Sequence, residues 1–268
     1  MNVAAEIESD KVLNAIRGLA DQAGHEIMKI YRSGSWTVTA KTDHSPVTEA
    51  DLAANKILVE GLSRLTDDPI VSEESDPQSV KVARSFWLID PLDGTRDFIH
   101  RQDTFAICIA RVEDGYPVFG LIHAPVTGET WWARKGRGAF ALGDRTLRHD
   151  QLRDPVIAVG SRSQPSERMK MFYQHFKIQD VQRIGSAIKF CRLAEGSVDL
   201  YPRFGPTSEW DTAAGQIIAE EAGCKVIDIV SGERLRYGKP GFENGGFMAS
   251  RQDLDFVGPL KALGFIKS

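Results

Sequence analysis

The stretch from Trp87 to Thr95, Trp-Leu-Ile-Asp-Pro-Leu-Asp-Gly-Thr, sets the tightest limit on what this chain can fold into. Three apolar residues run straight into two carboxylates, a proline, a glycine and a threonine. An unbroken apolar run reads as a short strand buried on both faces. Pro91 fixes φ and removes a donor, so the strand is expected to stop there with Asp90 at its carboxyl end. Gly94 permits a tight turn and a close approach of backbone to ligand. Amide groups around Gly94 and Thr95, opening a short helix, would suit an anion. Two carboxylates beside an anion site make chemical sense when hard cations lie between them, and magnesium takes oxygen ligands and shares them with phosphate. The plainer reading is a capping aspartate followed by an Asp-Gly turn.

A second stretch repeats the theme. Pro69-Ile70-Val71-Ser72 is a short apolar strand that ends in Glu73 and Glu74. If it pairs with the strand at Trp87, Glu73 and Asp90 converge at one edge. Thr48-Glu49-Ala50-Asp51 reads as a helix start with Thr48 as N-cap and acids in the first turn. Asp51 is then either a dipole-matched acid or a working one. Leu52, Ile57, Leu62 and Leu65 are expected to form that helix's buried stripe. Asp211, in Trp210-Asp211-Thr212-Ala213-Ala214-Gly215, stands at the start of an alanine-rich helix, where an N-cap is the plain alternative. Lys189, Arg183 and Arg203 place positive charge in the same half.

The remaining sequence supplies a scaffold. Apolar residues from about Glu6 to Tyr31 recur at three- and four-residue steps, as on an amphipathic helix. Trp36 to Ala40 reads as a strand, followed by a loop from Lys41 to Pro46. Between Phe105 and Leu142 several strand-like runs, with Asp114-Gly115 as a hairpin turn, predict an antiparallel meander. Trp131 and Trp132 are expected to pack in its core. The polar segment from Gly143 to Pro155 predicts a boundary between an α+β lobe (1–150) and an α/β lobe (151–268). In the latter, strands at 156–160, 181–184 and 198–201 alternate with helices at 165–176, 186–195 and after Trp210. Leu254, Val257, Leu260 and Leu263 predict a closing helix.

Composition narrows the function. A chain of 268 residues with 42% hydrophobic residues can bury a large core. A net charge of −4 supplies no basic field for general nucleic-acid binding. No apolar run reaches the length of a membrane span, and the first ten residues lack a hydrophobic signal core. Cys108, Cys191 and Cys224 are widely spaced among apolar neighbours, which favours buried reduced thiols and a cytoplasmic setting.

Together, Glu73-Glu74 after a strand, Asp90-Pro91-Leu92-Asp93-Gly94-Thr95, and Trp210-Asp211 before Ala-Ala-Gly resemble the magnesium-dependent, lithium-sensitive phosphatase superfamily that includes the inositol monophosphatases. Within it the chain looks most like the bacterial 3′(2′),5′-bisphosphate nucleotidases of the CysQ type. The pointers are residues 185–191 (Gly-Ser-Ala-Ile-Lys-Phe-Cys), residues 201–207 (Tyr-Pro-Arg-Phe-Gly-Pro-Thr) and Ser45-Pro46-Val47-Thr48. Arg96-Asp97 departs from the Lys-Glu usual in that group, and Ser208-Glu209 departs as well.

The resemblance implies a layered αβαβα sandwich of α/β class and two or three Mg2+ held by Glu73, Asp90, the Leu92 carbonyl, Asp93 and Asp211. It implies that Asp51 and Thr95 orient and deprotonate a metal-activated water for in-line attack. Substrate contacts would come from Glu73, Leu92, Asp93, Gly94, Thr95 and Asp211, with Lys189 and Arg203 nominated for a second phosphate. Glu74 would support the ligands from behind. Paired metals about 4 Å apart can hold both attacking and leaving oxygens. The expected reaction is conversion of adenosine 3′,5′-bisphosphate to AMP and phosphate, with 3′-phosphoadenylyl sulfate as a second substrate. An inositol or sugar phosphatase, and more remotely a non-catalytic metal-binding regulator, stay open as alternatives. So do monomer or homodimer, and peripheral attachment of a cytoplasmic protein to the inner membrane.

Overall fold

A computed structural model describes residues 9–40, 46–75, 83–150, 153–262 and 264. The first helix, α1 (Asp10–Ser33), starts at the Ser9 N-cap and ends at Gly34, whose φ of 72° suits a left-handed cap. Its buried stripe of Leu13, Ile16, Ala20, Ala23, Ile27 and Tyr31 follows the predicted spacing. The expected first turn from Glu6 lies outside the described residues, as does most of the loop after Lys41. A small hairpin, β1 (Val38–Ala40) with β2 (Pro46–Thr48), leads into α2 (Glu49–Leu62). Here the expected stripe holds only in part: Leu62 is buried and Ile57 and Leu65 are half-buried, but Leu52 is 54% exposed, and Ala50, Ala54 and Leu58 complete the buried face. The stripe is set by Asp51 pointing inward, which turns its neighbour Leu52 out.

The chain then lays down β3 (Ile70–Ser72) and β4 (Ser85–Asp93), followed by the one-turn helix α3 (Thr95–Ile99). Next come β5 (Ala106–Glu113), β6 (Tyr116–Ala124), β7 (Glu129–Arg134), β8 (Gly138–Ala141) and β9 (Arg145–Leu147). They form a seven-stranded sheet in sequence order, with β3 parallel to β4 and every other pair antiparallel. Asp114 and Gly115 both take positive φ, as a two-residue hairpin with the strand's own twist requires. The strand at Trp87 does not stop at Pro91. It continues to Asp93 through a bulge, where proline's missing donor is tolerated.

Beyond the polar segment the order is β10 (Ile157–Gly160), α4 (Glu167–His175), β11 (Asp180–Arg183), α5 (Ile188–Ala194), β12 (Leu200–Arg203) and β13 (Thr207–Ser208). Then follow α6 (Ala213–Glu221), β14 (Cys224–Asp228), a 3-10 turn (Pro240–Phe242), β15 (Glu243–Asn244), β16 (Phe247–Arg251) and α7 (Val257–Ala262). The strand expected at Val198 begins at Leu200. Leu254 precedes the closing helix rather than joining it, and Leu263 lies outside the described residues. The second sheet has the order β11-β10-β12-β16-β14, parallel at its first three strands and antiparallel about β16.

Side-chain alternation along these strands stacks the layers. Trp87, Ile89, Ile107, Ile109, Phe119 and Leu121 face α1 and α2, while Leu88, Cys108, Ala110 and Ile122 face α5 and α6. Val159, Tyr201, Phe247 and Ala249 of the second sheet cover the other side of α5 and α6. Ala158, Leu200 and Met248 point outward to Phe172 of α4 and Leu260 of α7. The result is the α/β sandwich αβαβα, with α5 and α6 between two sheets. Trp131 and Trp132 are both buried, and the three cysteines are free and buried. No described helix is long and apolar enough to cross a membrane.

The middle layer rides close on the first sheet at Gly120. A Cβ there would lie 2.6 Å from Ala214 O and 2.8 Å from Ala214 Cα, backbone atoms that cannot swing aside. Gly120→Ala is therefore expected to cost about 1–3 kcal/mol of stability, read by denaturant titration. Unchanged stability would contradict so tight a contact.

Candidate active site

The bulge in β4 builds the site. In a regular strand, residues three apart face opposite sides. Here Asp90 pairs with Cys108 and Asp93 with Ala106, so one extra residue is absorbed between them. Cys108 and Ala106 share the face toward the middle helices, and the bulge brings Asp90 and Asp93 to that same face. Parallel pairing of Ser72 with Ile89 sets Glu73 beside Asp90, and Glu73 N donates to Ile89 O at 3.1 Å. Asp211 arrives from the other direction, just before α6. Carboxylate oxygens of Glu73, Asp90 and Asp211 all lie within 4.8 Å of one another.

Each acid is held by its own donors. Asp90 Oδ1 accepts from Leu92 N at 2.9 Å, and Asp93 Oδ2 from Ala187 N at 2.5 Å. Asp211 Oδ2 accepts from Thr207 Oγ at 2.5 Å and Ser208 N at 3.1 Å. Asp211 is thus no helix cap; Thr212 occupies the cap position and makes no side-chain cap bond. Glu74 is half-buried, and its N donates to Ser72 Oγ at 3.4 Å.

Asp51 divides its two oxygens between the helix cap and the site. Oδ2 closes the capping box, accepting from Thr48 N at 2.8 Å and Thr48 Oγ at 2.5 Å. Oδ1 accepts from Thr95 Oγ at 3.0 Å, and that hydroxyl also lies 3.2 Å from Leu92 O. Gly94, with φ of 98°, caps α3 and directs the chain from Asp93 into Thr95.

The electrostatics follow from crowding carboxylates in a buried place. Burial, then the charges of Glu73, Asp93 and Asp211, push Asp90 well above the ordinary carboxylate range. Burial and Asp211 raise Asp93 to about 7, with Lys189 pulling the other way. Asp211 is raised to about 6 by burial, although the Thr207 bond opposes it. Asp51 is raised by burial, partly offset by its Thr48 and Thr95 bonds. Burial lowers Lys189 to about 8 against the pull of Asp93. An all-oxygen donor set whose like charges oppose one another fits a hard divalent cation, which would offset that repulsion.

These residues line one cavity of about 590 Å3 between the two sheets. Glu73, Asp90, Leu92, Asp93, Gly94, Thr95, Asp211, Lys189 and Arg203 all border it, and Asp51 stands behind Thr95. Lys189 is buried, and its Nζ donates to the carbonyls of Ile184 and Ser186. Arg203 donates to Pro206 O at 2.9 Å and reaches Ser161 Oγ at 3.5 Å. Sequence reasoning placed Thr48 as the helix cap, as found, but did not assign roles to Thr207, Ser208 or the Ala187 amide. Of these only Thr207, four residues before Asp211, carried a readable signal.

The chain belongs to the inositol monophosphatase family, whose model matches residues 8–254; this is a family of metal-dependent phosphatases. Among curated proteins it is 42% identical over 244 residues to the 3′(2′),5′-bisphosphate nucleotidase CysQ of Salmonella typhimurium, covering 88% of this chain and 98% of that one. The Escherichia coli K12 protein of the same name is 40% identical over 246 residues, covering 89% and 99%. Among solved structures, CysQ from Bacteroides thetaiotaomicron superposes with a TM-score of 0.79 at 32% identity, covering 92% and 100% of the two chains. The Thermotoga maritima IMPase gives 0.75 at 29%, covering 96% of each.

Proposed function

We propose that this protein is a magnesium-dependent 3′(2′),5′-bisphosphate nucleotidase that hydrolyses adenosine 3′,5′-bisphosphate to AMP and phosphate. The observation that carries the reading is convergence. Glu73, Asp90 and Asp211, distant in sequence, meet beside the Thr95–Asp51 pair in one cavity. Likeness to the CysQ proteins over most of the chain supports the choice of substrate.

In this reading Glu73, Asp90, the Leu92 carbonyl, Asp93 and Asp211 hold the magnesium ions. Bound magnesium would neutralise the phosphate and lower the pKa of water. The chain's own residues do the rest. Amides at Gly94 and Thr95 hold the phosphate at the start of α3. Thr95 Oγ, by donating its proton to Asp51 Oδ1, leaves its lone pairs to accept from the attacking water. Asp51, its pKa lifted by burial, is a better proton acceptor than a solvated aspartate. Lys189 and Arg203 lend positive potential for a second phosphate. The segment 1–150 supplies most of the cluster, and 151–268 supplies Asp211 and the basic side of the cavity. Residence in the cytoplasm, as monomer or homodimer, completes the proposal.

Phosphate release from adenosine 3′,5′-bisphosphate and inositol 1-phosphate tests it. The nucleotide is expected to turn over at least about tenfold faster in kcat/KM, the scale that one well-made polar contact to the leaving group provides. Comparable or faster turnover of the inositol ester would overturn the nucleotide assignment and leave a phosphatase of another substrate.

A further inference from the structure

Gripping a second phosphate directly takes donors that are not already spent. Lys189 is buried and committed to two carbonyls, and both terminal nitrogens of Arg203 are committed to protein oxygens, leaving only its buried Nε, which cannot present a two-nitrogen fork. Arg162 differs. It lies on the loop after β10, is exposed, and borders the same cavity across from α3. Its Nε stands 3.7 Å from Asp97 Oδ2, and its two terminal nitrogens have no partner among the described residues.

Asp97 is itself fixed. Its Oδ2 accepts from Thr104 Oγ at 2.7 Å, and it fits only because residue 185 is glycine. A Cβ on Gly185 would fall 1.7 Å from that oxygen. The β11–α5 connection therefore keeps room for the carboxylate that steers Arg162. Asp97 follows Thr95 by two residues on α3, so the steering group and the proposed phosphate amides ride on one element. Arg96, also exposed on the rim, makes no side-chain hydrogen bond or ion pair among the described residues and so has no acid to orient it.

We infer that Arg162, pre-oriented by Asp97, is the specificity-determining clamp for the substrate's second, non-reacting phosphate. A guanidinium held from its Nε side presents both terminal nitrogens as a fork, which matches phosphate geometry in bidentate fashion. The inference rests on the nucleotidase reading and adds to it the residue that separates a bisphosphate from a monophosphate.

The test compares kcat/KM on adenosine 3′,5′-bisphosphate and on adenosine 3′-monophosphate, which lacks the second phosphate, for wild type, Arg162→Ala, Asp97→Asn and Arg96→Ala. Arg162→Ala is expected to lose at least about tenfold more on the bisphosphate than on the monophosphate, mostly as a rise in KM. Asp97→Asn should show the same selective loss, to a smaller degree. In parallel, calorimetric affinity for AMP, which keeps the 5′-phosphate, should fall about tenfold in Arg162→Ala. Equal losses on both substrates, or a selective loss just as large in Arg96→Ala, would reduce Arg162 to a general rim charge and overturn the clamp. Wild-type enzyme that does not hydrolyse the bisphosphate would instead remove the nucleotidase reading itself.

Discussion

Asp90→Asn is expected to lower phosphatase activity roughly 10²–10³-fold or more while making the metal-free protein more stable, by about 1–2 kcal/mol. The two effects have one cause. Asp90 lies buried among Glu73, Asp93 and Asp211, and that company holds its carboxyl well above the ordinary range. A carboxylate whose folded pKa is raised costs stability at any pH above its unfolded value, because the native state must either repel the charge or keep a proton the unfolded chain has released. An amide has no such cost. Its oxygen can still accept the Leu92 N–H that now reaches Asp90 Oδ1 at 2.9 Å, so the bulge keeps its geometry. What is lost is the negative charge that would balance a divalent cation at the centre of the trio. Thermal melts in chelator at pH 8 and phosphate-release assays with magnesium read the two arms. An active variant, or an inactive one that melts lower than wild type, would contradict the charge-crowding account. The general point is that sites of this kind store repulsion in the fold, and function accounts for residues that stability alone would reject.

Much of this was legible because strand-end chemistry is local. Trp87-Leu88-Ile89 had to be a buried strand, Gly94 had to turn, and Thr48 with Asp51 three residues later had to cap a helix. Adjacency of Glu73 and Asp90 required only that two neighbouring strands pair, as they do. The misreadings arose where tertiary contacts outrank local preference. Pro91 was expected to end its strand, yet a bulge lets β4 run on, and that bulge puts Asp90 and Asp93 on one face. Leu52 was expected inside because it is apolar, but the inward position belongs to Asp51, fixed by Thr48 and Thr95. For Asp211 it was the plain alternative, a helix cap, that failed, because its carboxylate is claimed by Thr207 and Ser208. The Asp97–Arg162 pair spans 65 positions of sequence; Asp97 was noted only as part of the Arg96-Asp97 departure and Arg162 belongs to no readable motif, so only the folded chain brings the pair into view.

Magnesium should stabilise the protein strongly at pH 8 and weakly at pH 5.5. Asp211 and Asp93 keep their protons in the metal-free fold up to about 6 and about 7, against 3.8 when solvated. Between those values the native state binds more protons than the unfolded chain, so metal-free stability falls as pH rises from about 4 through about 7. Lys189 acts in the opposite sense only from about 8 to 10.5, where its lowered pKa makes the unfolded chain the better proton binder. A cation entering the cluster removes the carboxylate penalty, which is largest once the acids are ionised. At pH 5.5 it must first displace protons. With magnesium at about 100 times its dissociation constant the gain is about 2.7 kcal/mol. At one fixed magnesium concentration, the rise in melting temperature is expected to be at least about twice as large at pH 8 as at pH 5.5. Titration calorimetry in buffers of different ionisation enthalpy supplies the independent check, since binding near pH 6, where Asp211 and Asp93 still hold protons, should release more protons than binding at pH 8. Equal shifts in melting temperature at the two pH values, with no proton release, would mean that magnesium binds away from Asp90, Asp93 and Asp211, and that their crowding serves some other end.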